Sequence, residues 1–282
     1  MLVRFDRAFS REFGLPMDDS SCSDGAIIAQ VLAGRPEYDV TKGSVEFLGA
    51  DLLLVRASTA TRIRVVRRAI ALLCGLYLRV LKGLGLLTYQ CDGFAKLDCR
   101  GKLVVANHPT LLDAVFLMAL VPNATFVAKA AMTRNFFTGG IARLAGYIAN
   151  DQEGVALLDG AKHALAKGDA LVIFPEGTRT NDAAPKFKRG AANIAVANGC
   201  NIIPIHINCE PPSLRKNQKW YDVPPRTPHF VIRPLPEITL RNVIDTERPV
   251  GIQARQLNDY LQNCLTQVEP AGHRPANLPL GV

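Results

Sequence analysis

VVANHPTLLDAVF, residues 104–116, is apolar except for one histidine, one proline and one aspartate, set where a strand-like run gives way to a helix-like one. Its first part belongs to KLVVA (102–106), and its second opens a helical periodicity over about 110–121. Further runs rich in β-branched residues follow at ATFVA (124–128), ALVIF (170–174), NIIPIHI (201–207) and HFVIR (229–233). Helical periodicities at about 136–146, 154–167, 189–198 and 248–267 separate them. Alternation of this kind predicts an α/β domain whose mostly parallel or mixed sheet is flanked by helices. With 282 residues the chain is long enough for a sizeable core, and 48% apolar against 21% charged residues fits a globular fold.

Outward from this core the chain divides into residues 1–58, an appendage of unassigned role; 59–90, an amphipathic segment; 91–268, the α/β domain; and 269–282, a Pro-rich tail expected to be flexible. Residues 1–60 carry six Lys/Arg against nine Asp/Glu, so with +8 overall the remainder stands near +11 and prefers anionic partners. Seven cysteines without a C-x-x-C pair argue against a disulfide framework or zinc site and for a reducing compartment. Met1-Leu-Val-Arg does not open a secretory leader, because no apolar h-region precedes Asp18 and Asp19. No metal or redox cofactor is implied.

Within 59–90, RIRVVRRAIALLCGLYLRVLKGLGLLTY (62–89) wound as a helix gathers Arg64, Arg68, Arg79 and Lys82 into one sector. Leu72, Leu73, Leu76, Tyr77, Val80, Leu84 and Leu87 fall on the other side. The uncharged run between Arg68 and Arg79 is ten residues, short of the roughly 18 that a membrane span needs. A cationic stripe beside a broad apolar face fits a helix lying in an anionic membrane surface. The alternative is an amphipathic helix docked on the protein's own core. Nucleic-acid binding ranks last, since no helix-turn-helix, zinc finger or RNP-type aromatic pattern accompanies the charge.

His108 and Asp113 carry the first candidate chemistry. Five residues apart on one regular helix, their side chains would diverge by about 140°. Pro109 offers a way round, because proline favours the first helical position and would make His108 the N-cap. There the helix N-terminus keeps an imidazole neutral and fit to take a proton, and Asp113 can accept from one ring nitrogen and fix the tautomer. No G-x-S-x-G elbow supplies a nucleophile, so such a dyad would activate a hydroxyl of the substrate. Against this stands the plainer reading of a histidine that merely caps its helix.

ALVIFPEGTRTND (170–182) is a strand that stops at Pro175 and opens into Glu176, Gly177, Thr178 and Arg179. Glycine lets a backbone approach an anion, threonine adds a hydroxyl, and arginine grips phosphate through two parallel hydrogen bonds. Lys186, Lys188 and Arg189 follow at the start of the next helix, where the dipole also favours an anion. The alternative is a simple Glu176–Arg179 pair.

Together NHPTLLD (107–113) and FPEGTRT (174–180) resemble the glycerophospholipid (lysophosphatidic acid) acyltransferase superfamily, whose first and third motifs are N-H-x-x-x-x-D and E-G-T-R. GGIARLAGYIAND (139–151) sits where that family has its second block, NIIPIHI with Pro204 matches its fourth, and Lys129 follows FVA where the family commonly has lysine. The resemblance runs from about Arg62 to Ile238. It implies His108 as general base on the acceptor hydroxyl, with Asp113 orienting it. It also implies Glu176, Gly177, Thr178 and Arg179 as acceptor-binding residues, Arg179 on the acceptor's phosphate, with Lys188, Gly146 and Pro204 completing the clefts. The implied reaction moves an acyl group from acyl-CoA or acyl-carrier protein to a lysophospholipid such as 1-acylglycerol 3-phosphate, without an acyl-enzyme. Membrane attachment, peripheral or monotopic and on the cytoplasmic face, is implied as well.

One position departs from the pattern. Many members close the second block with an arginine that helps hold phosphate, whereas here Asn150 and Asp151 follow GYIA. An acceptor without phosphate is therefore a second expectation, and GYIAND, RGAANIA and WYDVPPRTPHF resemble a subgroup tied to aryl-polyene and other specialised lipids. The rival from another class is a lipid-binding protein with an inactive site, against which intact His108 and Asp113 argue.

Overall fold

A computed structural model describes residues 46–47, 50–51, 59–94, 97–129, 136–150, 154–179, 186–219, 221–222 and 224–266. The expected tail at 269–282, and all but a two-strand pairing of the appendage, β1 (Glu46–Phe47) with β2 (Ala50–Asp51), lie outside them.

Seven strands form one mixed sheet. In chain order the elements are α1 (Thr59–Gly83), β3 (Thr88–Cys91), β4 (Leu103–Ala106), α2 (Asp113–Leu120), β5 (Ala124–Lys129), α3 (Phe136–Leu144) and β6 (Ile148–Asn150). There follow α4 (Gly154–Ala166), β7 (Ala170–Ile173), α5 (Gly190–Asn198), β8 (Ile202–Glu210), β9 (His229–Pro234) and α6 (Val250–Thr266). The sheet order is β3-β9-β8-β4-β7-β5-β6, parallel throughout except for the antiparallel β8–β9 pair. All five expected strands and all five expected helices of the α/β domain are present. Two edge strands, β3 and β6, join them without having been foreseen, and β3 straddles the boundary expected at residue 90.

The central strands are apolar on both faces because both faces are covered. Leu103 and Val105 of β4 point into a core closed by α4, α5 and α6, through Ala161, Ile194 and Leu257 among others. Val104 and Ala106 point the other way, onto α1 and α2, where Leu78, Phe116 and Leu117 are buried. Burying each such large side chain contributes about 1.5–3 kcal/mol.

α1 docks on the protein's own core and still leaves its outer face open. Its inner side packs on α2 through Leu78, yet Leu72, Leu73, Leu76, Tyr77, Val80 and Leu84 stay exposed, as do Arg64, Arg68, Arg79 and Lys82. Leu87, counted with that outer face in the sequence, is buried instead. Arg67, outside the expected stripe, is buried: it pairs with Asp169 at 2.8 Å and donates to the Ala145 carbonyl at 2.7 Å and to Asn123 Oδ1 at 3.1 Å. No helix among the described residues is long and apolar enough to cross a membrane.

Candidate active site

The register of β4 against β7 brings the two sequence motifs together. Val105 lies opposite Ile173, so the chain leaves both strands at the same rim, HPTLLD from one and FPEGTR from the other. This rim is the carboxyl end of the parallel strands, where open α/β sheets place their ligands. Asn107 fixes the exit from β4: its amide donates to the Ile207 carbonyl and accepts the Ile207 N–H, both at 2.7 Å, so a side chain continues the ladder to β8 for one more rung. No catalytic or binding reading of the sequence had used Asn107. The signal was an Asn closing a wholly apolar strand.

The histidine is not an N-cap. Helix α2 begins at Asp113 with Leu112 as its cap, and residues 107–112 form a loop. The reason is Asp113 itself, whose carboxylate accepts the Thr110 N–H and the Thr110 hydroxyl, each at 2.6 Å, and so turns the chain before a helix can start at Pro109. The loop lets His108 swing back to Asp113: Nδ1 lies 2.8 Å from Oδ2. Because the carboxylate can only accept there, Nδ1 carries the hydrogen, leaving Nε2 with its lone pair for a substrate. The ring stacks on Phe174 at 4.3 Å between centroids and keeps 17% of its surface open. Asp113 is fully buried; desolvation pushes its carboxyl up, against the opposing pull of His108 and Thr110.

Glu176 is the next neighbour. Its Oε1 accepts the backbone N–H of His108 at 3.0 Å, while Oε2 is buried without a hydrogen-bond partner. Burial pushes this carboxyl up to about 7, more than its bond to the His108 N–H pulls it down. Gly177 turns with φ +69°, a backbone that favours glycine, and a β-carbon there would lie 3.2 Å from Lys188 Nζ, so the lysine lies close across the corner. Lys188 in turn is tied down by its own N–H on the Pro175 carbonyl at 2.8 Å, and no carboxylate among the described residues pairs with its ammonium. Thr178 is half-buried beside it. Arg179 does not pair with Glu176; its Nη1 donates to the Leu214 and Arg215 carbonyls at 3.1 and 3.2 Å.

Two expected residues lie elsewhere. Gly146 precedes β6, three strands from β4, where its φ of +64° and missing β-carbon make room for Ile63 and Arg67 of α1. Pro204 is buried within β8 opposite Val105, its carbonyl accepting the Leu235 N–H at 2.8 Å. Gly146 of the second block thus packs against the amphipathic helix, while Asn150 ends β6 at the carboxyl edge of the sheet. Among the described residues no cluster of three or more His, Cys, Asp or Glu is placed to hold a metal ion.

The family model described as Acyltransferase matches residues 95–208, a span that contains both motifs and β4 to β8 almost entire. Over residues 95–208 the chain is similar to the Acyltransferase family. The chain is 39% identical over 105 residues to a Helicobacter pylori 1-acyl-sn-glycerol-3-phosphate acyltransferase, covering 35% of this chain and 44% of that protein. A Mus musculus 1-acyl-sn-glycerol-3-phosphate acyltransferase alpha is 29% identical over 154 residues, 52% of this chain and 53% of its own. The chain therefore spans about half the length of these curated relatives. The crystal structure of the 1-acyl-sn-glycerophosphate acyltransferase PlsC from Thermotoga maritima superposes with a TM-score of 0.57 at 20% identity, over 74% of this chain and 80% of that one. At that identity the likeness establishes the acyltransferase fold.

Proposed function

We propose that the protein is an O-acyltransferase moving a fatty acyl group from acyl-CoA or acyl-carrier protein to the hydroxyl of a lysophospholipid such as 1-acylglycerol 3-phosphate. The single observation that carries this reading is the His108 Nδ1–Asp113 Oδ2 contact at 2.8 Å, beside the corner where Lys188 lies over Gly177. Nε2 takes the proton of the acceptor hydroxyl as its oxygen attacks the thioester carbonyl. The tetrahedral adduct then breaks its C–S bond, and the leaving thiolate recovers the proton from the imidazolium, which Asp113 has stabilised meanwhile. Lys188 over Gly177 supplies the cation for the acceptor's phosphate, with Glu176 to Arg179 as the wall beneath. His108→Ala should abolish transfer from acyl-CoA or acyl-carrier protein to 1-acylglycerol 3-phosphate, leaving thermal stability unchanged; full turnover by that variant sinks the mechanism.

The second reading, an acceptor without phosphate, is favoured by Asn150, which ends β6 with no positive charge. Rates on 1-acylglycerol 3-phosphate and on unphosphorylated 1-acylglycerol decide between them, since exclusive use of the latter overturns the first choice.

The outer face of α1 supports attachment to an anionic lipid surface on the cytoplasmic side. Leu72 is 63% exposed, Leu73 66% and Leu84 67%, with Arg64, Arg68, Arg79 and Lys82 also in solvent. Apolar side chains in such a row sit in the acyl boundary while cations meet the headgroups.

A further inference from the structure

Three loops meet at one carbonyl oxygen. That of Leu214 accepts the Leu111 N–H at 3.1 Å and Nη1 of Arg179, also at 3.1 Å, and the same Nη1 reaches the Arg215 carbonyl at 3.2 Å. Leu214 holds φ at +54°, a left-handed conformation that a leucine keeps only when its surroundings impose it. The neighbouring Ser213 is buried, so the segment is packed against the body and is not a free strap. Besides Asn107 on Ile207 and Thr110 on Asp113, the His108 loop is held by His108 N–H on Glu176 and Leu111 N–H on Leu214. Both supports trace back to the FPEGTR loop, one directly and one through Arg179.

We propose that Arg179 is a positioning residue: it sets the Leu214 carbonyl that holds Leu111, and so aims His108. The proposal rests on the acyl-transfer reading and departs from a role for this arginine as phosphate ligand. A guanidinium directed at two adjacent carbonyls is a planar fork, and the point charge of a lysine does not reproduce it. A misplacement of about 1 Å at the reacting atoms costs on the order of 10²-fold in rate.

The test uses the full chain with Arg179→Lys and Arg179→Ala, reading backbone hydrogen exchange at Leu111 together with kcat and KM on 1-acylglycerol 3-phosphate and on 1-acylglycerol. Exchange at Leu111 is expected to quicken by about tenfold or more in both variants. The value of kcat falls on the order of 10²-fold on either acceptor with KM little changed. A rise in KM confined to the phosphorylated acceptor, or preserved Leu111 protection, overturns the proposal. Leu214→Gly keeps the +54° backbone and should stay active. Leu214→Pro cannot adopt that backbone, and should copy the Arg179→Ala loss and leave Arg179→Ala nothing further to remove. Additive losses in the double variant refute the relay. Should Leu214→Pro not fold, the exchange and KM readouts on the arginine variants decide alone. Should the wild-type chain transfer to neither acceptor, the acyl-transfer reading falls, while Leu111 exchange still decides whether Arg179 holds the loop.

Discussion

Oε1 of Glu176 lies 3.0 Å from the backbone nitrogen of His108, across a sequence separation of 68 residues. The third motif thus supports the main chain of the first. Glu176→Gln keeps an acceptor for that N–H, whereas Glu176→Ala leaves a buried donor unpaired. The alanine variant is expected to lose on the order of 10²-fold in kcat and the glutamine variant less than about tenfold. Steady-state kinetics on the two variants check this, and equal losses would count against the support.

The same carboxyl makes stability depend on pH. Its pKa of about 7 exceeds the 4.5 of a free glutamate, so the native state keeps a proton that the unfolded chain sheds in between. The stabilisation is complete below about pH 4.5 and is lost as pH rises through 7, a gap worth about 3 kcal/mol. Asp113, also raised by burial, acts with the same sign. Urea unfolding between pH 4.5 and 7.5 should show a clearly flatter profile for Glu176→Gln than for wild type; superimposable profiles contradict the assignment.

Arg67 anchors α1. Its ion pair with Asp169 is almost wholly buried, with side-chain exposures of 4% and 14%. Removing one partner of such a pair costs about 3–5 kcal/mol, while replacing both by apolar residues of similar volume costs far less. Arg67→Ala should therefore lower the urea midpoint sharply, and Arg67→Met with Asp169→Leu should recover much of it. A midpoint unmoved by Arg67→Ala contradicts the anchor.

The outer face of α1 yields a binding prediction. Leu73→Glu with Leu76→Glu removes two exposed apolar groups and adds charges repelled by anionic lipid. Each leucine withdrawn from the acyl boundary is worth about 1.5–3 kcal/mol, so affinity for phosphatidylglycerol-containing vesicles should drop on the order of 10²-fold or more. Melting temperature should hold. Co-sedimentation measures the first and calorimetry the second, and unchanged sedimentation removes α1 from the lipid surface.

What the sequence revealed follows from burial. The runs KLVVA and ALVIF announce strands because neither face of the central sheet meets water, so every position is apolar. The edge strands β3 and β6 escape notice because they are short and half exposed; TYQC and IAN carry no such run. The contact of His108 with Asp113 was foreseen from residue type and spacing, but not its geometry, since Pro109 points to a helix start that the grip of Asp113 on Thr110 overrides. Arg67 was invisible for another reason. Beside Arg64 and Arg68 it reads as one more surface cation, and only the sheet order brings Asp169 and Asn123 to it. Leu214 likewise has no signature in the chain, because what matters there is its carbonyl.

The sheet order also divides the molecule for an engineer. His108 and the side chains that meet it, Asp113, Phe174 and Glu176, follow β4 and β7, while the β6 edge meets α1 through Gly146 and Arg67. A graft of that edge from a relative would have to import its own first helix too, the two travelling as one cassette. The rim that carries His108 could stay behind untouched.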